Sequence, residues 1–239
     1  MSSIVKGRLS LIIPTYNEVQ NIPVLIEELR TVLQGRDVEI WVMDDNSTDG
    51  TMDAVAESQK HWDRVHGVVR THDRGLSRSV IDGFSRSHGE YLGVMDADGS
   101  HDPHALPSLL DAVQKGADFA VGCRWLPGGG VPGWPWYRRF VSSAAAGFAK
   151  VLLNTPLNDP MSGYFVCRRE VFERAQPRLI GEGFKILLEL WAVGKPARIV
   201  ELPFVFRDRR RGETKVSSRV LLEYFKMVWR LRLSNKSVD

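Results

Sequence analysis

Short apolar runs alternate with amphipathic stretches along most of this chain. Leu9 to Ile13 is almost wholly apolar and halts at Pro14, the pattern of a strand buried on both faces. Asn21 is a residue suited to cap a helix, and Ile22, Leu25, Ile26, Leu29 and Leu33 follow it at helical spacing. Val38 to Met43, Val65 to Arg70, Tyr91 to Met95 and Phe119 to Gly122 repeat the buried-strand pattern. Between them the polar turn DDNSTDGT enters a helix, Leu76 to Ser87 carries Val80, Ile81 and Phe84 on one face, and Asp102 and Pro103 open another helix. Strands alternating with helices at this spacing predict βαβ units, hence an α/β fold with a mainly parallel sheet flanked by helices. Ligands in such folds bind beyond the carboxyl ends of the strands. Tyr16–Glu18, Asp44–Asp45, Asp96–Asp98 and Arg124 all follow strand ends, so they are predicted to converge on one edge.

After Arg124 the texture changes. LPGGGVPGWPWYRR is dense in Gly, Pro and Trp and reads as a long irregular loop, either a lid or a packed connection. A helix is predicted from Arg139 to Leu153, then a turn at NDPMSGY, further short elements, the basic stretch RDRRRGETK, and a last helix from Ser217 to Leu233.

Composition narrows the class without naming it. With 239 residues, 43% hydrophobic and 26% charged, the chain has the make-up of one globular domain. Cys123 and Cys167 form no C-x-x-C pair, which favours a reducing environment. A net charge of +3 does not imply nucleic acid, and no secretory leader or run of about 18 apolar residues is evident. The charge is uneven, with Arg207, Arg209, Arg210 and Arg211 crowded together.

The candidate chemistry starts from VMDADGSHDP. Residues i and i+2 of a strand share a face, so Asp96 and Asp98 at a strand end can grip one divalent cation. A glycosyltransferase uses such a pair to hold a metal on a nucleotide-sugar diphosphate. A phosphatase of the haloacid-dehalogenase type uses a similar D-x-D-G-[ST], but its second acidic motif follows the first, and here DDNSTD precedes it. His101 and His104 stand beside the pair, where capping of a helix start is the expected role.

LIIPTYNE, VMDDNSTDGT, RGLSRSVIDGF, GVMDADGSHDP, VGCRW with a Gly-rich stretch, DPMSGYFVCRREV and F-x-x-R-x-x-G-x-T-K occur in that order. The series resembles the dolichol-phosphate (polyprenol-phosphate) mannose synthases, glycosyltransferases of family 2 with the GT-A fold, from about Leu9 to Lys215. The resemblance implies a Rossmann-like catalytic domain over 1–215 and a basic amphipathic helix over 216–239. It places Pro14, Tyr16, Glu18, Met43 and Asp45 at the nucleoside, with one carboxylate of Asp44 and Asp45 serving the turn instead. It places Asp96 and Asp98 on Mg²⁺ or Mn²⁺, Ser100 as a weak third ligand, and Ala97 near the sugar phosphate. Arg124, Arg209 and Lys215 match cations that hold phosphate groups, and solvation is an equal account of Arg207, Arg210 and Arg211.

The implied partners are a nucleotide-sugar, GDP-mannose, and a polyprenyl phosphate. A phosphate monoester has its second pKa near 6 and already presents a nucleophilic oxygen, so such an acceptor needs cations more than a base. The motifs leave UDP-glucose as donor open. They also leave open a saccharide hydroxyl as acceptor, for which Asp159 is the candidate base with Ser162 beside it; the alternative role of Asp159 is to orient the acceptor-side arginines. A non-catalytic nucleotide-sugar-binding subunit is disfavoured by the intact acidic and basic motifs. In VSSRVLLEYFKMVWRLRL, apolar Val220, Leu221, Tyr224, Phe225, Val228, Trp229 and Leu231 are flanked by Arg219, Lys226, Arg230 and Arg232. That helix is suited to a membrane surface or to packing on its own domain. Some relatives continue into transmembrane helices; here membrane contact is expected to be peripheral, on the cytoplasmic face, or to depend on a separate membrane-spanning partner.

Overall fold

The computed structural model describes residues 3–183, 185–207 and 218–236. The apolar runs become β1 (Val5–Thr15), β2 (Val38–Asp44), β3 (Val65–Val69), β4 (Gly89–Val94) and β5 (Phe119–Cys123), joined by two further strands, β6 (Phe165–Arg168) and β7 (Ile199–Pro203). They form one sheet in the order β3-β2-β1-β4-β6-β5-β7. β6 runs antiparallel to both β4 and β5, while the other pairings are parallel. The chain winds outward from β1 through β2 to β3 and returns to β4 on the other side of β1. A ligand crevice belongs at that reversal.

Helices α1 (Ile22–Val32), α2 (Thr51–His61) and α4 (Leu106–Gln114) cover one face, where Leu25, Leu29, Val55, Leu109 and Leu110 meet Leu9, Leu11 and Ile13 of β1. Helices α3 (Leu76–Arg86), α6 (Arg169–Ala175) and α7 (Ile186–Gly194) cover the other, where Val80, Phe84, Phe172 and Leu187 meet Ile12, Leu92 and Val94. Alternate residues of β1 thus serve opposite cores, as a strand's pleat requires. Gly83 belongs at the α3–β1 crossing, since a Cβ there would stand 2.7 Å from Ile12 Cγ2.

Several local expectations are corrected. β1 continues through Pro14. Ile12 O accepts from Met95 N and Thr15 O from Asp45 N, so the missing N–H of Pro14 faces the β4 side beyond the last β1–β4 pair, Ile12–Val94. Asn21 occupies the start of α1 without capping it; its amide donates to Glu18 Oε2 instead, and Pro23 removes one donor the first turn would otherwise leave unpaired. Helix α5 (Trp136–Leu153) begins three residues before the expected Arg139, on Pro135. The Gly-rich connection ahead of it is packed: Gly130 donates to Phe204 O and accepts from Phe206 N at 2.8 Å, and Val131 is buried.

The last helix, α8 (Ser218–Lys236), presents two faces. Tyr224, Val228 and Leu231 pack on Ala145 and Ala149 of α5 and on Leu188 and Ala192 of α7, and the Tyr224 hydroxyl donates to Ala145 O at 3.0 Å. Phe225, Trp229 and Leu233 are exposed. The expected boundary at 215/216 lies outside the described residues.

Candidate active site

β4 ends at Val94, so Asp96 and Asp98 stand in the turn beyond it, and strand alternation does not set their directions. The turn does. Gly99 takes φ +77°, a conformation costly for residues with a Cβ, and Ser100 N then folds back to donate to Asp98 Oδ1 at 3.0 Å. Asp98 and Ala97 are buried and Asp96 half-buried. His101 neither caps a helix nor faces solvent. Its Nδ1 accepts from Asp96 N at 3.0 Å, and burial lowers its pKa from the ordinary value, which keeps the ring neutral at pH 7. The capping falls to Asp102, whose carboxylate accepts from His104 N ahead of α4.

The turn suits a hard divalent cation. The Ser100 hydroxyl is fully buried and has no hydrogen-bond partner among the described residues, an expensive arrangement unless something else takes it up. With Asp96 and Asp98 it completes an all-oxygen set of the kind Mg²⁺ and Mn²⁺ prefer. No group of three or more His, Cys, Asp or Glu disposed for a metal occurs among the described residues. Two carboxylates and a hydroxyl would leave much of such an ion's coordination sphere to diphosphate oxygens and water.

On the β1–β2 side the two adjacent aspartates divide their work. Asp44 is fully buried and accepts from Ser47 N and Oγ, the turn-forming role expected of one of the pair. Asp45 was expected at the base or ribose, yet its carboxylate is heavily committed: Arg70 and Ser79 hold Oδ1, and Gly75 N donates to Oδ2 at 2.6 Å. It mainly fixes the β3–α3 loop. Met43 lies in the core, so only its backbone can serve a ligand. Tyr16 is exposed, with Arg74 stacked over its ring at 5.1 Å, and makes a ready platform for a nucleobase. Pro14 and Glu18 are half-buried at the same edge.

The β5 side gathers cations. Arg124, directly after β5, is buried and grips the fully buried Asp159: backbone N at 3.1 Å, Nε at 2.7 Å and Nη2 at 2.7 Å. Trp125, Trp134 and Phe206 surround its guanidinium at 5.6, 5.7 and 5.5 Å. Arg138, from the first turn of α5, lies over Trp134 as well, its guanidinium carbon 3.9 Å from the ring centre. Ser162 is buried and serves the turn into β6, its hydroxyl exchanging hydrogen bonds with the Tyr164 backbone. Because β6 is antiparallel, that turn opens beside the acidic pair, and a Cβ on Gly163 would stand 3.6 Å from Asp96 Oδ2.

Two cations here escaped the sequence reading. Arg138 falls in the stretch whose Gly, Pro and Trp content predicts a loop. Lys185 was overlooked, since a lone Lys ahead of the apolar ILLELWAV carries no motif. Its Nζ donates to Met161 O at 2.7 Å, and burial, reinforced by Arg124, lowers its pKa to about 8. Arg207 is exposed and pairs with Asp102 at 3.3 Å, while its backbone N donates to Ser100 O. That contact ties Arg207 to the acidic turn; Arg209, Arg210, Arg211 and Lys215 lie outside the described residues.

The sheet thus carries an acidic pair and an orphaned hydroxyl at its reversal, an exposed aromatic ring on one side and cations on the other. The family model described as glycosyl transferase family 2 matches residues 10–175, and the chain belongs to that family. It is 39% identical to the dolichol-phosphate mannosyltransferase of Pyrococcus furiosus over 97% of this chain and 66% of that protein, and so spans about two thirds of that relative's length. It is 38% identical to the enzyme of the same name from Saccharomyces cerevisiae, covering 92% of this chain and 85% of that one. With the polyprenol monophosphomannose synthase of Mycolicibacterium smegmatis it shares 39% over 94% and 88% of the two chains. Among solved structures, glucosyl-3-phosphoglycerate synthase from Mycobacterium tuberculosis, in complex with Mn²⁺, UDP and its product, superposes with a TM-score of 0.70 at 17% identity, over 96% of this chain and 80% of that one. That likeness is one of fold.

Proposed function

We propose that the protein transfers mannose from GDP-mannose to a polyprenyl phosphate with inversion at the anomeric carbon, assisted by Mg²⁺ or Mn²⁺. The observation that carries the acceptor class is the state of Asp159. Both of its oxygens are held by Arg124, so the carboxylate suggested as base for a hydroxyl acceptor is already a counter-ion. An acceptor phosphate needs no such base, because it is largely dianionic at pH 7. The relatives named above support mannose as the sugar and a polyprenyl phosphate as its destination.

In this reading Asp96 and Asp98, with Ser100, hold the divalent ion. When bound, that ion supplies a Lewis acid against the charge developing on the leaving diphosphate. Tyr16 stacks on the nucleobase, while Asp45 keeps the β3–α3 loop and Arg74 in place. Arg124, Arg138 and Lys185 add fixed positive charge, joined by Arg209 and Lys215 from the basic stretch. A phosphate oxygen of the acceptor attacks the anomeric carbon; the bond from that carbon to the nucleoside diphosphate breaks, and its electrons leave with the diphosphate.

A lipid acceptor also calls for a membrane surface. Phe225 and Trp229 of α8 are exposed, as are Trp136, Phe140, Phe148 and Val151 of α5, and the Phe148 and Phe225 rings meet at 4.8 Å. Lys150, Lys226 and Arg230 are also exposed on these two helices. Such aromatic and basic faces favour peripheral binding at the cytoplasmic side of a membrane. None of the helices among the described residues is long and apolar enough to cross one.

The test is a donor screen against dolichyl phosphate and free dolichol, with products identified by mass. Polyprenyl-phosphate hexose formed from GDP-mannose is expected. Preference for UDP-glucose would change the sugar assignment, and efficient glycosylation of the free alcohol would overturn the mechanism.

A further inference from the structure

Asp96 lies past the last pairing of β4, where the sheet no longer holds its backbone. His101 takes over that task. Its Nδ1 accepts the Asp96 N–H at 3.0 Å, and its Nε2 stands 3.8 Å from Asp96 Oδ2. A nitrogen that accepts an N–H carries no proton, so the neutral ring has its proton on Nε2, the nitrogen nearer the carboxylate. The ring is fixed on several sides. It stacks on Tyr164 at 4.9 Å and 11°, and meets the edges of Phe204 and Phe206 at 5.6 and 5.8 Å. The Tyr164 hydroxyl is tied in turn to Asp102 O at 2.9 Å. Gly163 closes the remaining side, where a Cβ would stand 3.5 Å from His101 Cε1.

We propose that His101 is a positioning residue: it holds the Asp96 peptide and carboxylate in one geometry, ready for the divalent ion. This rests on the metal reading above and adds to it a residue outside the proposed ligand set. Groups that orient metal-ligating side chains typically set metal affinity by 10- to 100-fold. Because Phe206 also lies against Arg124, 5.5 Å from its guanidinium, the same aromatic cluster ties the acidic turn to the phosphate side.

The test measures GDP and UDP binding by titration calorimetry, in Mn²⁺ and in EDTA, and takes the ratio of the two affinities as the gain due to metal. His101→Phe keeps a ring in the aromatic slot and removes both nitrogens. It is expected to cut the gain about tenfold or more, while the EDTA affinity stays within about twofold of wild type and the circular dichroism is unchanged. His101→Gln, whose amide N–H can reach the Nε2 position, should retain more of the gain than His101→Phe. If His101→Phe does not fold, His101→Leu, which fills part of the slot and has neither nitrogen, replaces it with the same expectation. An undiminished gain in the nitrogen-deficient variant overturns the proposal, as does an equal loss of affinity in EDTA, which would mean a general scaffolding role. A wild type whose affinity is no higher in Mn²⁺ than in EDTA sinks the metal reading itself, and the role of His101 with it.

Discussion

Replacing Asp159 by Asn separates a counter-ion from a catalytic base. The carboxylate is fully buried and takes three hydrogen bonds from Arg124, which is itself buried. Removing one partner of a buried ion pair costs about 3–5 kcal/mol, because the other charge is stranded. Asn keeps one carbonyl oxygen for one of the three donors, which points to the lower end, about 3 kcal/mol. For a chain of this size that lowers Tm by about 6–12 °C. Activity should fall as well, since a guanidinium released from its bidentate hold no longer meets phosphate in a fixed place; a displacement near 1 Å can cost about 100-fold. Thermal unfolding at pH 7, paired with steady-state transfer to dolichyl phosphate, reads both quantities. The reasoning fails if Asp159→Asn melts within 1 °C of wild type yet loses about 1000-fold or more in turnover, because a general base is lost without harm to the fold.

Three further outcomes are expected. Asp96→Asn or Asp98→Asn should nearly abolish transfer with an unchanged Tm, and EDTA should inhibit the wild type until Mg²⁺ or Mn²⁺ is restored; full activity in excess chelator would refute the metal role. Tyr16→Ala should raise the KM for nucleotide-sugar about tenfold with a smaller effect on kcat, as loss of one stacking contact requires; a drop confined to kcat would count against the platform. Lys185 has a folded pKa of about 8, below the ordinary 10.5, so its charged form opposes folding below pH 8 and that cost fades as pH rises toward 10.5. Lys185→Met should therefore melt higher than wild type at pH 7, with the margin narrowing above pH 8, while transfer falls and its alkaline limb near pH 8 disappears; a variant that melts lower at pH 7 would contradict the burial argument.

The sequence disclosed the central sheet because β1, β2, β4 and β5 are buried on both faces and so are written as apolar runs. It disclosed the acidic turn because the D-x-D follows one of those runs directly. The directions of side chains were harder to read. Asp45 has the chemistry of a ligand, but its partners Arg70 and Gly75 come from the β3–α3 loop and Ser79 from α3, and no local pattern announces them. Met43 was drawn to the nucleoside by its place at a strand end, although the pleat turns it into the core. Arg138 was obscured because the start of α5 depends on Pro135, and Lys185 because its importance arises from Arg124 and Asp159, far away in the chain. Asp159 stands between two roles in the sequence because Arg124, which holds it, is 35 residues away.

The reversed strand β6 has a kinetic consequence. Its first residue, Phe165, pairs with Val94 across a sequence separation of about 70 residues, and contacts of that span form slowly because a long loop must close first. This pairing helps to bring the turn that carries Asp159 to Gly163 against the acidic pair. Helices and the β1–β2 pair can form beforehand without creating a competent site. In refolding from denaturant, far-ultraviolet dichroism should thus recover ahead of Mn²⁺-dependent nucleotide binding. The lag should lengthen with substitutions that weaken the β4–β6 pairing, such as Val166→Ala, and stay the same with substitutions in α2. Catalytic competence would then mark the end of folding, with no partly folded chain able to bind donor and expose it to hydrolysis.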